Sequence, residues 1–535
     1  MTDIPLPVAP AHPHGDAATA NKPAGRLASN ALGLPSVLFC IVTGAAPLTA
    51  MLFNVPVAVQ GGGYAAPAAF LLATVALTIF SVGYIAMSRR VTSAGGFYTF
   101  ISRGLGRIVG VGSGLLIALC YIIFTAAVIG VMGYFAATSI KSWTDVTIPA
   151  WAYMIVGLAL MTLFAWFHIE LTAKVLGVSL VLEVLALLIL GIGVFAHGGG
   201  SGGLSAAPLN PAEIFNNKGA VKVFGTGAAG VALFAAFWSW VGFEMAPNYA
   251  EESRDPRRIA RSATYGSVIG LGLFYMFVSY VYVAGWGLPG SVQAVKDQFN
   301  GAFASAFYPL ADKYVGSPLT TAMQALAITS SFACAMAFYN TSARYLFSLG
   351  REGVLPTPLG RTSRRHSPVV AATIVTVLVG AYLLAFVLYD SSTEGALLKL
   401  GTWSPLLGVL GILGVQALAS VAIIRYFLTT ARDGFHWFST LTAPILGCAA
   451  MCGACYLLIA NRGALAGNGA VPFIHYLPEV VLAIFAIGLV LGATLRVRNP
   501  SRYATVGGTD ANSGAISGST IAADTIAAEQ GATLA

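Results

Sequence analysis

The sequence predicts an all-α polytopic membrane protein. Its 535 residues are 57% hydrophobic and only 9% charged, whereas soluble globular chains carry about 25% charged residues. The apolar residues gather into twelve segments, each long enough to cross a hydrocarbon core, which takes about 20 residues as helix. Basic residues recur after every second segment, the asymmetry expected of loops on one side of a bilayer.

The segments follow in order. The first runs from about Leu34 to Val59 and the second from about Ala66 to Met87. The third, about Arg107 to Ala137, is longer than a perpendicular crossing needs, so it should tilt. The fourth is about Ala150 to Phe167, the fifth about Ala173 to Ala196 and the sixth about Gly227 to Ala250. The seventh is about Ser262 to Trp286 and the eighth about Leu319 to Leu349. The ninth is about Pro368 to Tyr389 and the tenth about Gly395 to Phe427. The eleventh is about Ser439 to Ala460 and the twelfth about Leu477 to Leu495.

The basic loops set the orientation. Arg89, Arg90, Arg103 and Arg107 follow the second segment, and Arg254, Arg257, Arg258 and Arg261 follow the sixth. Arg351, Arg361, Arg364 and Arg365 follow the eighth, and Arg425 and Arg432 the tenth. Arg496, Arg498 and Arg502 follow the twelfth. Such loops stay in the cytoplasm, which puts both termini there too. The same distribution accounts for the net charge of +8 without a nucleic-acid partner.

Residues 1–30 are rich in Ala, Pro, His and Asn and lack an apolar core, so they read as a disordered tail rather than a signal peptide. His12 and His14 within it are weak metal candidates. Residues 497–535 read as a second disordered cytoplasmic tail. The six cysteines, Cys40, Cys120, Cys334, Cys448, Cys452 and Cys455, all lie in apolar segments. Cys452 and Cys455 have the CxxC spacing, but with no His or polar partner nearby they read as packing residues. There is no P-loop, no HExxH and no nucleophile–His–acid set in context. The sequence predicts no enzyme, no cofactor and no metal site.

Two segments are interrupted. The first contains Thr43-Gly44-Ala45-Ala46-Pro47. The sixth contains Ser239-Trp240-Val241-Gly242-Phe243-Glu244, then Pro247, and ends in Glu251-Glu252-Ser253-Arg254-Asp255-Pro256-Arg257-Arg258. A broken helix is tolerated in hydrocarbon only against protein or a water-lined cavity. Breaks at matching places in two halves point to a transporter binding site. The two segments are an odd number of crossings apart, so they run in opposite directions, as inverted halves require.

Three stretches carry a resemblance. Ser88-Arg89-Arg90-Val91-Thr92-Ser93-Ala94-Gly95-Gly96-Phe97-Tyr98 is similar to an S-R-x-P-x-A-G-G-x-Y loop, with Thr92 in place of Pro. Phe237-Trp238-Ser239-Trp240-Val241-Gly242-Phe243-Glu244 with the following Glu251 to Arg258 is similar to F-x-G-F-[DE]…E-E-x-x-[ND]-P-x-R. Ser342-Ala343-Arg344 through Arg351-Glu352-Gly353-Val354-Leu355-Pro356 is similar to S-R-x-x-x-x-x-A-R-D-G-x-L-P. Together they resemble the amino acid–polyamine–organocation permeases over roughly Leu34 to Pro500. The resemblance implies twelve transmembrane helices in a LeuT-type 5+5 inverted repeat with broken helices 1 and 6. Residues 31–197 would form the first repeat, 198–430 the second, and 431–496 the two accessory helices. It implies secondary transport of an amino acid or related amine by alternating access across the plasma membrane.

The candidate substrate residues are Thr43, Gly44, Ala45, Ala46, Trp238, Ser239, Trp240, Gly242, Glu244 and Tyr339. Backbone groups at a half-helix end favour an anion, so Thr43 to Ala46 are candidates to meet a substrate carboxylate. Here Gly44-Ala45-Ala46-Pro47 stands where the family has G-x-G-x-G, and Pro47 lacks one donor. By the resemblance Trp238 would cover the substrate. Glu244 has three roles open: binding a substrate amine, sensing a proton, or satisfying N–H groups freed by the break. Tyr339, Asn340 and Tyr121 could line the pocket, and each could equally be helix packing.

Glu183 lies within the fifth segment. A carboxyl taken out of water is penalised in its charged form, which suits a proton carrier. In some proton-driven relatives a lysine from this span stands where sodium-coupled members hold an ion. Proton carriage, Na⁺ ligation and a structural partnership all stay open for Glu183, with a proton preferred to sodium as the coupled cation. Thr329, Ser330 and Ser331 are the hydroxyl candidates for the same role. Exchange without net ion coupling is the alternative transport mode. A membrane sensor is disfavoured, because the tails carry no recognisable partner domain. The sequence leaves the oligomeric state open.

Overall fold

The computed structural model describes residues 33–91, 95–166, 169–216, 228–245, 253–363, 367–465 and 472–507. His12, His14, Thr92, Pro247, Glu251, Glu252, Arg364, Arg365 and His366 lie outside them. The regular structure of the described residues is helical, without a β-ladder. Nine helical runs among them are long and apolar enough to cross a membrane, and Ala150–Trp166 and Ala229–Met245 are shorter apolar helices. One of the nine, Leu34–Ser88, is 55 residues long and is broken twice.

The helices are α1 Leu34–Ala45, α2 Pro47–Gly62, α3 Ala66–Ser88, α4 Gly96–Leu105, α5 Arg107–Thr144, α6 Ala150–Trp166 and α7 Ile169–Ala196. Then come α8 Pro211–Asn216, α9 Ala229–Ser239, α10 Pro256–Trp286, α11 Leu288–Phe299, α12 Phe307–Tyr314, α13 Ser317–Arg351 and α14 Val369–Tyr389. The last four are α15 Gly401–Thr429, α16 Ala443–Ala460, α17 Leu477–Arg498 and α18 Pro500–Thr505. π-turns at Ala396–Leu400 and Trp437–Thr442 lead into α15 and α16.

Local chemistry sets the boundaries. Gly63, at φ 61°, ends α2, and a 3₁₀ turn over Gly63–Ala65 leads into α3. Asp255 caps α10 by accepting from the Arg258 N–H at 3.2 Å, with Pro256 in the first turn, where a missing donor costs nothing. α5 is apolar on all sides, as a helix at the centre of a bundle must be, and packs against α13, α15 and α17. It spans 38 residues, about 57 Å at 1.5 Å per residue. It therefore runs past the expected Ala137 and carries Lys141 and Trp143 beyond the apolar slab.

The outer helices face the other way. Val178 on α7, Leu388 on α14 and Leu482 on α17 are 65%, 80% and 66% exposed. Apolar surface on this scale belongs against lipid.

The C-terminal segment departs from expectation. Its composition reads as a loose tail from residue 497, but α17 continues to Arg498 and α18 follows. Asn499 Oδ1 accepts from the Arg502 N–H at 3.3 Å and caps α18. The Gly507 N–H then donates to Glu352 Oε2 at 2.7 Å, and Arg103 Nε donates to the Gly507 carbonyl at 2.8 Å. The segment is held by α4 and the end of α13, which composition does not reveal.

Candidate functional site

The first break follows from Pro47. Proline has no N–H for the ladder and drives the preceding residue out of the α region. Ala46 sits at φ 42°, ψ 71°, between α1 and α2. This left-handed geometry costs a non-glycine residue about 1–2 kcal/mol. The second break turns on Gly242, at φ 118°. There α9 stops at Ser239 and 243–245 forms a 3₁₀ turn. The breaks lie against each other: a Cβ on Gly242 would stand 3.6 Å from the Gly44 carbonyl carbon and 3.3 Å from Met245 Cε. Further along, a Cβ on Gly61 of α2 would be 2.6 Å from the Ala232 nitrogen of α9. Only glycine lets the two half-helices approach so closely.

A cavity of about 30 Å³ opens at the crossing, walled by Gly44, Ala45, Ala46, Asn54, Trp238 and Ser239 among others. That is room for about two waters. An amino acid fits only after a wall moves. Trp238 is the wall that stacks: its ring centroid is 4.6 Å from that of Phe124 and 6.0 Å from that of Phe338. Asn54 Nδ2 donates to Ser239 Oγ at 2.8 Å, and Ser239 Oγ donates to the Ala235 carbonyl at 2.9 Å. Asn54 Oδ1 is buried with no hydrogen-bond partner. A buried acceptor left open costs free energy, and Asn54 is one of the residues that wall the cavity. Asn54 escaped the sequence reading. Its signal was a lone amide in an apolar span, two residues before Pro56.

The expected carboxylate cradle takes a different form. The amides at the start of α2 are turned to protein partners: the Leu48 N–H donates to Glu183 Oε2 at 3.5 Å and the Thr49 N–H to Ser330 Oγ at 3.4 Å. At the break itself carbonyls predominate. Gly44 O accepts from Cys334 Sγ at 2.9 Å and Ala45 O from the Tyr275 hydroxyl at 3.0 Å. Thr43 is buried, with its Oγ1 unpartnered. The negative end of α1 therefore borders the cavity, and that end favours a cation.

Three of the expected pocket residues, Trp240, Tyr339 and Glu244, do not line the cavity. Trp240 is buried on the far face of the break, 5.1 Å from the Tyr275 ring, with Nε1 directed at the Val268 carbonyl at 3.4 Å. The tyrosine at position 339, Tyr339, donates to the Ala372 carbonyl at 2.7 Å and pairs with Thr376 Oγ1 at 2.8 Å, so it ties α13 to α14. Glu244 lies behind the cavity wall. It accepts from the Gly242 N–H at 3.0 Å and the Tyr121 hydroxyl at 2.6 Å, while the Tyr84 hydroxyl donates to its carbonyl at 2.9 Å. Of its three open roles, this geometry performs the satisfaction of freed backbone groups.

Glu183 and the hydroxyl residues come together from three helices. Glu183, 2% exposed on α7, accepts from Ser330 Oγ of α13 at 2.7 Å and from Ser179 Oγ at 3.3 Å. Ser331 Oγ meets Thr49 Oγ1 at 3.0 Å, and Thr329 Oγ1 meets Ser179 Oγ at 2.9 Å. A carboxylate here stands at the positive end of α2, where the helix dipole stabilises negative charge. Among the described residues there is no group of three or more His, Cys, Asp or Glu that could hold a metal ion.

A wider basin of about 870 Å³ lies at the end of the bundle away from the arginine-rich loops. Its wall includes Tyr134, Lys141, Asp312, Gln324 and Glu394. Tyr134 is one turn of α5 beyond Val131, which borders the inner cavity. At the opposite end, Glu352 gathers the Tyr98 hydroxyl and the Gly507 N–H.

Comparison with known proteins agrees with this architecture. The family model described as amino acid permease matches residues 32–489. The chain is 27% identical over 364 residues to a gamma-aminobutyric acid permease of Escherichia coli, covering 64% of this chain and 72% of that one. It is 24% identical over 337 residues to a low-affinity putrescine importer of the same organism, covering 63% and 70%. It is 27% identical over 175 residues to that organism's D-serine/D-alanine/glycine transporter, covering 32% and 34%.

Proposed function

This chain belongs to the amino acid permease family, a family of transporters rather than enzymes, and on that premise we propose that it is a secondary active transporter. It imports an amino acid or related amine across the plasma membrane by alternating access, with a proton as the coupled ion. The observation that carries this reading is the pair of broken helices meeting at a cavity, where Asn54 Oδ1 is an open acceptor. A substrate ammonium would donate to Asn54 and lie against the carbonyl end of α1. The relatives' names support an amine, since gamma-aminobutyric acid, putrescine and glycine share an amino group. Trp238 is the gate we assign: the cavity is too small for such a molecule until a wall moves, and Trp238 is the wall residue packed on Phe124 and Phe338.

The architecture we assign to this cycle is the 5+5 inverted repeat with both termini in the cytoplasm. Splitting Leu34–Ser88 at Gly63 and including the two shorter apolar helices accounts for twelve crossings. Substrate enters through the basin around Tyr134 and leaves past Glu352. Protonation of Glu183 removes the charge that holds the start of α2 to α7 and α13. That releases the half-helix to rearrange, and a two-state element biased by a ligand is what alternating access requires.

The test is uptake into proteoliposomes of radiolabelled gamma-aminobutyric acid, putrescine and glycine, under an imposed pH gradient and separately under a Na⁺ gradient. Accumulation driven by the pH gradient is expected. Binding without flux would overturn the transporter reading. Glu183→Gln should abolish pH-driven accumulation while leaving exchange intact. Unchanged pH dependence would remove the proton from Glu183, and uptake that follows Na⁺ alone would assign Glu183, Ser330 and Ser331 to that ion.

A further inference from the structure

The C-terminal end of α3 and the first turns of α10 enclose a pocket of about 660 Å³, walled by Arg89, Arg90, Asp255, Arg258, Arg261 and Ser262. Among the described residues, both carboxylates near it are engaged. Asp255 caps α10, and Asp433 accepts from Arg90 Nη1 at 2.8 Å. Among the described residues, Arg89, Arg258 and Arg261 are in no ion pair. Among the described residues, four guanidinium groups thus face two carboxylates, both already bonded. Such a pocket has excess positive charge and a set of open donors suited to phosphate oxygens.

Depth separates a lipid from a soluble anion. Below the arginines α10 presents Tyr265, half-buried, and then Gly266, Ile269, Gly270 and Leu273, all exposed. Ile269 is 41% and Leu273 54% exposed, and Val75 on the adjoining α3 is 50% exposed. A Cβ on Gly270 would meet nothing within 4 Å, so the helix surface is open there. The two helices are antiparallel and close: a Cβ on Gly272 would stand 2.3 Å from Thr74 Cγ2. From Arg261 to Leu273 the helix rises about 18 Å, close to one leaflet of a core about 30 Å thick. A charged pocket at the head of an exposed apolar helix face about one leaflet long suits a phospholipid.

We propose that this pocket binds the phosphate headgroup of an anionic phospholipid, with an acyl chain along the Gly266–Leu273 face of α10. Basic pockets at the ends of membrane helices draw anionic lipid with about 1 kcal/mol per arginine. The site is independent of the substrate cavity and of Glu183.

The experiment is thermal melting of the purified protein in uncharged detergent with phosphatidylglycerol, phosphatidylcholine or inorganic phosphate added. Phosphatidylglycerol should raise Tm more than phosphatidylcholine, and inorganic phosphate should leave it unchanged. The double variant Arg89→Gln/Arg261→Gln should bind phosphatidylglycerol about thirtyfold more weakly, two arginines' worth. It should melt like wild type in phosphatidylcholine, because both side chains are exposed. Arg89→Lys/Arg261→Lys should keep part of the increment, and Arg496→Gln/Arg498→Gln all of it. Equal shifts from the two lipids, or an unchanged increment in the Arg89→Gln/Arg261→Gln variant, would overturn the proposal. So would a phosphate shift equal to that of the lipid, which would make this a site for a soluble anion.

Discussion

Ser330 Oγ donates to Glu183 Oε2 at 2.7 Å across 147 residues of sequence. The same carboxylate oxygen receives the Leu48 N–H, so α7, α13 and the start of α2 are tied through one atom. Removing the hydroxyl leaves a buried carboxylate short of a donor, at a cost of about 1–3 kcal/mol. Ser330→Ala should lower Tm accordingly. The decisive measurement is a double-mutant cycle with Glu183→Gln. The two losses should fall short of additive by about 0.5–3 kcal/mol. Additivity would mean that the contact carries no energy.

In the proposed binding mode Asn54 supplies the amine's acceptor. Asn54→Leu keeps much of the side-chain volume, and Ser239 retains its bond to Ala235, so the variant should fold. Losing one hydrogen bond to a charged group should weaken amine binding about tenfold to a hundredfold. Binding measured by calorimetry for putrescine and gamma-aminobutyric acid should fall together. An unchanged Kd would place the ammonium elsewhere.

Gly61 sets the distance between the broken helices. A methyl there would stand 2.6 Å from the Ala232 nitrogen and 2.8 Å from the Ala228 carbonyl oxygen. These are backbone atoms, so α9 must shift. Gly61→Ala should destabilise the fold by about 1–3 kcal/mol and impair uptake with it. Gly453→Ala is the control. Its Cβ meets nothing within 4 Å, so helix propensity alone should leave it neutral or slightly more stable. Equal Tm values for the two variants would remove the packing argument.

On the basic side, the Arg90 guanidinium hydrogen-bonds to Asp433 and holds its carboxyl below the usual carboxylate range. A folded-state value depressed in this way adds stability above the unfolded value of about 3.9, and that stability is lost as pH falls through the folded value. The Tm difference between wild type and Asp433→Asn should therefore be small at neutral pH and vanish on acidification. Salt should shrink it too, because the pair is exposed. A difference that grows toward acid pH would contradict the sign.

The two broken spans were legible in the sequence because Pro47 and Gly242 act locally. Proline removes a donor and glycine permits a positive φ wherever they stand. Glu183 stood out as a carboxylate in hydrocarbon. Its company was less visible. Ser330 and Ser331 looked like any small hydroxyls on a helix, and only packing puts them within reach of α7 and α2. The tryptophans show the limit most plainly. Trp238 and Trp240 are two residues apart, and residues at that spacing do not share a helix face. Trp238 therefore covers the cavity and Trp240 packs on Tyr275, a choice that the identical side chains could not announce. Tyr339 went to α14, where its hydroxyl bonds to Ala372 and Thr376.

By itself, then, the sequence determined the membrane class, the sites of helix breakage and the basic face, because each depends on composition or on one residue's backbone chemistry. The tertiary structure decided which polar groups are satisfied and which are left open. It occupied the amides of α2 with Glu183 and Ser330, turned Glu244 onto Gly242 and Tyr121, and left Asn54 Oδ1 without a partner. Apart from the local Gly242–Glu244 bond, these partners come from more than a hundred residues away, and only the packed helices supply them.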